Sequence, residues 1–157
     1  MIEKLSERQL TNLREFLDNE FSTISQRYQK KFQPDGFQTL NDLIDASKSY
    51  IEVISGIPLP RYTYLALNYL LKYLDFFVDA IVTFPASPKP MFSFLKQLDE
   101  LFQQAVIRGN MSVTEGVRVK SLTESCRMVV LSKMERTGGY EKECTEVFEA
   151  TLQELNI

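Results

Sequence analysis

The sequence predicts an all-α, single-domain bundle of about six helices around one central buried helix at residues 62–84. Three observations lead there. The stretch Tyr62 to Phe84, YTYLALNYLLKYLDFFVDAIVTF, is long enough for about six helical turns and is apolar on most of its circumference. Elsewhere apolar residues recur at spacings of three and four, the helical period, rather than alternating as in a strand. Capping signals, prolines and glycines punctuate these segments at both ends.

In the central stretch, Asn68, Lys72, Asp75 and Asp79 step by four, three and four, which places them on one narrow stripe. Apolar residues fill the rest, so neighbouring helices must cover this one on two or three sides. Its length would also suit a bilayer core of roughly 20 residues. The central charges Lys72, Asp75 and Asp79 each cost about 2.5–3.5 kcal/mol there, so no membrane span is expected.

The remaining elements follow in order. Ser6 and Gln9 fit a capping box, and Leu10, Leu13, Leu17, Phe21, Ile24, Tyr28 and Phe32 form a stripe, so the first helix spans about Glu7 to Lys31. Packing on the central helix is the expected way to bury that stripe; a coiled-coil seam with a partner is the other. Pro34, Asp35 and Gly36 make a turn. Thr39 with Asp42 starts the second helix, whose inward residues are Leu40, Leu43, Ile44, Ser47, Tyr50, Ile51 and Ile54. Gly56 reads as a left-handed cap, and Ile57 to Arg61, IPLPR, as a stiff extended connector.

After the central helix, Pro85 to Pro90, PASPKP, reads as a non-helical linker. The chain could divide there, but each half would be small for a core of its own, and one domain over residues 1–157 is preferred. The fourth helix runs from about Met91 to Ile107, closed by Gly109. Ser112 and Glu115 form the capping box of the fifth, which extends to about Arg136 with Val113, Val117, Leu122, Cys126, Val129, Val130 and Met134 facing in. Gly116 and the Val117-Arg118-Val119 alternation weaken this locally and leave room for a short extended piece. Gly138-Gly139 ends it, and a last helix covers Tyr140 to about Leu155.

Composition sets limits on chemistry. The net charge of −3 provides no general basic field for nucleic acid. Histidine is absent, which removes His-activated nucleophiles and imidazole metal ligation. Cys126 and Cys144 have no C-x-x-C spacing and read as reduced core thiols, pointing to the cytoplasm or nucleus. The opening MIEKLSERQL has no apolar signal-peptide core. Phosphate-binding glycine loops, G-x-S-x-G, H-E-x-x-H and EF-hand patterns do not occur. No catalytic residue, cofactor or metal ligand is assigned on these grounds.

Three constellations remain. Paired carboxylates beside a lysine at Lys72, Asp75 and Asp79 could do acid-base work or hold a divalent ion, but one solvated stripe with ordinary Lys72–Asp75 pairing accounts for them. Residues 108–136 carry six basic against three acidic side chains, and residues 137–157 five acidic against one basic. A mutually neutralising hairpin is the simple consequence, and a patch of Arg118, Lys120 and Arg127 for an acidic partner or a phosphate is the functional one. Eleven Phe and seven Tyr exceed what one helix face requires. Either all are core, or Tyr62, Tyr64, Phe84, Met91, Phe92 and Phe94 build an apolar partner-binding patch, or the same rings line a cavity for a lipid or apolar small molecule.

The expectation is a non-enzymatic helical adaptor or assembly subunit acting by protein–protein interaction within a larger intracellular complex. The composition argues against nucleic acid as a partner, and self-association is compatible with it. Two alternatives stay open. One is a small helical enzyme or small-molecule binder using Lys72, Asp75, Asp79 or Arg127 in a pocket. The other is a nucleic-acid-associated subunit using the basic fifth helix.

Overall fold

A computed structural model describes residues 4–155. Met1, Ile2 and Glu3, part of the start read above as lacking a signal core, lie outside them, as do Asn156 and Ile157. The helices are α1 (Glu7–Gln29), α2 (Leu40–Ser55), α3 (Thr63–Thr83), α4 (Pro88–Arg108), α5 (Val113–Thr137), α6 (Glu141–Glu146) and α7 (Glu149–Leu155). Among the described residues there is no strand, and the fold is all-α. The expected sixth helix is present but broken at Val147 and Phe148 into α6 and α7.

Local chemistry explains three of the starts. Capping boxes close at Ser6 with Gln9, Thr39 with Asp42 and Ser112 with Glu115, each satisfying two backbone N–H groups that the first turn would otherwise leave unpaired. The seven α2 residues expected to face inward are the seven that are buried. In α3 the stripe Asn68, Lys72, Asp75 and Asp79 faces solvent, while α2, α4 and α5 pack on the remaining surface.

Rings dominate the centre. Tyr73 and Phe77 are fully buried and stack at 5.9 Å, and Phe94 of α4 meets Phe77 edge to face at 5.1 Å. Burial is tolerable for the tyrosines because their hydroxyls are used: Tyr73 donates to Ser47 Oγ at 2.7 Å and Tyr50 to the Tyr69 carbonyl at 3.1 Å. The α1 stripe from Leu10 to Tyr28 packs on the chain's own core, with Phe21 and Tyr28 against Phe76 of α3 at 5.4 and 5.1 Å. Tyr28 donates to Asp79 at 2.6 Å and Tyr69 to Asp18 at 2.8 Å, tying the two helices at their rims.

Several expectations are corrected. Helix α1 ends at Gln29, and Phe32 does not extend its stripe: it takes a left-handed conformation (φ 69°) with more than half its surface exposed. The turn that follows requires glycine, since a Cβ at Gly36 would lie 1.9 Å from the Lys30 carbonyl oxygen. Gly56 is not left-handed (φ −89°). Residues 57–61 fold into a turn, with a cis Leu59–Pro60 bond and the Tyr62 N–H donating to the Pro58 carbonyl at 3.0 Å, rather than running extended.

The proline linker is also shorter than expected, because α4 begins at Pro88. Pro88 and Pro90 fall in the first turn, where a backbone N–H has no helical partner to lose. Helix α5 is helical through Val117-Arg118-Val119, and its inward face is Gly116, Val119, Thr123, Cys126, Val130 and Met134. Val113 and Val117, expected inside, are outside.

Candidate functional site

The register of α5 creates the most distinctive surface of the molecule. Thr123 can be fully buried because its hydroxyl donates to the Val119 carbonyl at 2.7 Å, and Gly116 is buried beside Leu155 of α7. With that face inward, Val113, Val117, Met128 and Leu131 are left on the outer side. Met128 is 68 % and Val113 85 % exposed. Their spacings of four, eleven and three return to one side of a helix, where the Lys120–Glu124 pair separates Val113 and Val117 from Met128 and Leu131.

Two charges hold the break between α6 and α7, and thereby shape the groove beside Met128 and Leu131. The Arg127 guanidinium of α5 donates to the carbonyls of Thr145 at 3.3 Å and Val147 at 2.7 Å, at the C-terminal end of α6. The Asp99 carboxylate of α4 accepts from the N–H groups of Ala150 at 3.3 Å and Thr151 at 2.9 Å, in the first turn of α7. A cation meets a negative helix end and an anion a positive one. Between them Val147 and Phe148 are buried, with Phe148 edge-on to Phe102 at 5.7 Å.

The resulting groove between the C-terminal half of α5 and α6 has a volume of about 500 Å³. Met128 and Leu131 form its outer wall, Met134 its floor and Cys144 its α6 side, with Glu135 and Glu141 at the rim. A wider cleft of about 790 Å³ lies between α4 and the C-terminal segment. The buried carboxylate of that cleft, Asp99, has its oxygens occupied by α7.

The aromatic patch expected from the sequence is not assembled at the surface. Tyr62, Phe84, Met91 and Phe94 are core residues, Phe92 is half-buried and stacked on Tyr140 at 5.6 Å, and Tyr64 alone of the six is exposed. The surplus of rings went into the interior, where helices α1 to α4 use them as filling. The basic set is likewise dispersed in purpose. Arg118 is exposed, Lys120 lies 3.9 Å from Glu124, and Arg127 is turned to backbone carbonyls.

The basic α5 and the acidic terminus do pack together, and Arg127 joins them by donating to the main-chain oxygens of Thr145 and Val147. On α3, Lys72 sits over the Phe21 ring at 4.4 Å instead of pairing with Asp75, and Asp79 accepts from Tyr28. Cys126 is buried, which pushes its thiol up to about 12; Cys144 is half-buried and raised by burial and by Glu143 and Glu141. Sequence reasoning missed Met128, Leu131, Glu135, Glu141 and Asp99. A signal for the first two existed: apolar residues occur around most of α5, so one face alone could not hold them all.

Comparison with known proteins gives the family. Residues 36–156 match the profile of TFB6, described as subunit 11 of the general transcription factor TFIIH. The chain is also 46 % identical over 154 residues to an uncharacterised protein of Schizosaccharomyces pombe, covering 98 % of each chain. No solved structure matches. Among the described residues no helix is long and apolar enough to cross a membrane. The matched span runs from the turn before α2 through α7, the whole framework that carries the outer side of α5 and its groove, and the chain belongs to the TFB6 family.

Proposed function

We propose that the protein is a non-enzymatic subunit of a TFIIH-type general transcription factor, acting in the nucleus by protein–protein contact. The observation that carries this reading is the set of outward apolar side chains of α5 within the span that matches the family. Val113, Val117, Met128 and Leu131 stand outside the core, 46–85 % exposed. Met128 and Leu131 adjoin one groove, and exposed apolar side chains grouped beside a groove on a well-packed domain mark a contact surface. Family membership supplies the assembly in which such a contact would be made. The six aromatic residues picked from the sequence do not enter this reading as a patch, because four of them are core.

The test is affinity purification of the tagged full chain from its own cells at native expression, followed by size exclusion. Stoichiometric recovery with the other TFIIH subunits, lost when Met128 and Leu131 are changed to Glu, is the expected result. A chain that elutes alone, or a double variant that stays in the complex undiminished along with variants at Val113 and Val117, would overturn it.

A further inference from the structure

We propose that the groove between α5 and α6 seats an amphipathic helix with a basic rim, contributed by a protein partner and not by a second copy of this chain. This rests on the reading that the chain works by protein contact, and adds where on the chain the contact is made and what kind of segment makes it. The groove volume of about 500 Å³ suits a few large apolar side chains. Met128 and Leu131 stand three apart on the same helix, the spacing that interdigitates with anchors three or four apart on a partner helix. Met134 beneath and Met128 beside are unbranched, so the lining can adapt to the anchors it receives.

Charge selects the occupant. Glu135 and Glu141, both exposed, stand at the rim. Arg127, the basic side chain in the lining, is turned to the Thr145 and Val147 carbonyls, so it compensates the end of α6 and not the rim. The rim is therefore acidic. Phosphate backbones and anionic lipid surfaces are repelled by it, whereas Lys or Arg flanking an apolar helix face is matched. A two-fold contact of the chain with itself, centred on the groove, would bring the same carboxylates together, which disfavours a second copy.

The experiment uses the purified full chain and two synthetic amphipathic helices with identical Leu and Met anchors, one rimmed with Lys and one with Glu. Binding is read by anisotropy and located by backbone amide shifts. The Lys-rimmed helix is expected to bind about tenfold or more tightly, a difference of about 1.4 kcal/mol, with shifts confined to the end of α5 and to α6. Met128→Glu with Leu131→Glu should abolish binding of both helices. Glu135→Lys with Glu141→Lys should transfer the preference to the Glu-rimmed helix, a reversal that mere misfolding cannot produce.

Equal affinity for the two helices, no binding, or shifts elsewhere would overturn the proposal. So would a sedimenting dimer that Met128→Glu with Leu131→Glu dissociates, since a second copy would then occupy the groove. Complex purification of the wild-type chain separates the two levels. If the chain recovers with TFIIH subunits yet the Lys-rimmed helix fails, the groove assignment alone falls; if it elutes alone yet binds that helix, the TFIIH reading alone falls.

Discussion

Replacing Asp99 by alanine should loosen the C-terminal strap selectively. The carboxylate accepts from the buried Thr151 N–H at 2.9 Å and from the Ala150 N–H at 3.3 Å. A buried donor left without a partner costs about 1–3 kcal/mol, and loss of a helix N-cap interaction about 1 kcal/mol. The two overlap, and the weaker Ala150 bond can be replaced by water, so about 2–3 kcal/mol is expected for Asp99→Ala. The Thr151 hydroxyl is spared because it also donates to the Asp99 main-chain carbonyl at 3.0 Å.

Asp99→Asn keeps an acceptor oxygen and loses the charge at the α7 N-terminus, for a smaller loss of about 0.3–1 kcal/mol. Urea unfolding gives the global cost of each variant. Hydrogen exchange gives its location, and protection should fall first at residues 149–155 while the α3 amides hold until global unfolding. A cost below about 0.5 kcal/mol for Asp99→Ala, with α7 protection unchanged, would refute the clamp as the reason α7 is docked.

Three further outcomes follow from the same structure. Gly36→Ala should be strongly destabilising because its Cβ meets the Lys30 carbonyl oxygen at 1.9 Å, whereas Gly56→Ala, right-handed with its nearest neighbour at 3.6 Å, should be neutral or stabilise by about 0.4–1 kcal/mol; chemical denaturation compares the pair. A thiol reagent at neutral pH should modify Cys144 and leave buried Cys126 unmodified until the chain unfolds, and two equally fast thiols would contradict the placement of Cys126. Burial and the hydrogen bonds to Asp79 and Asp18 raise Tyr28 and Tyr69 to about 12, so the native state favours their neutral form. The stability they contribute is complete below the ordinary tyrosine value of 10 and is lost as pH rises toward 12. Urea midpoints should fall over that interval, and Tyr28→Phe should flatten the fall while costing about 1 kcal/mol at neutral pH.

The parts of the fold that were legible are those set by neighbours in the chain. Ser6, Thr39 and Ser112 cap through residues three positions on, and the α2 stripe is unambiguous because one face holds nearly all its apolar residues. The α5 face was not legible for the opposite reason. Val117 and Val119 are equally apolar, and which one turns inward depends on how α3 and the C-terminal helices pack against α5. The break at Val147 and Phe148 was hidden as well, since the period of three and four continues through it and the groups that stabilise it, Asp99 and Arg127, come from other helices. The aromatic patch failed because ring content says how much apolar area must be buried and nothing about where.

Length, apolar period and capping residues were enough to determine that this chain is a bundle wound around its ring-rich third helix, because helix formation and burial of a stripe depend on residues within a few positions of one another. Packing between distant segments decided which side of α5 is left outside, that α6 and α7 are separate, and that an acidic, methionine-lined groove opens between α5 and α6. Those features come from burial and charge balanced across the whole core, which no local window of the sequence contains.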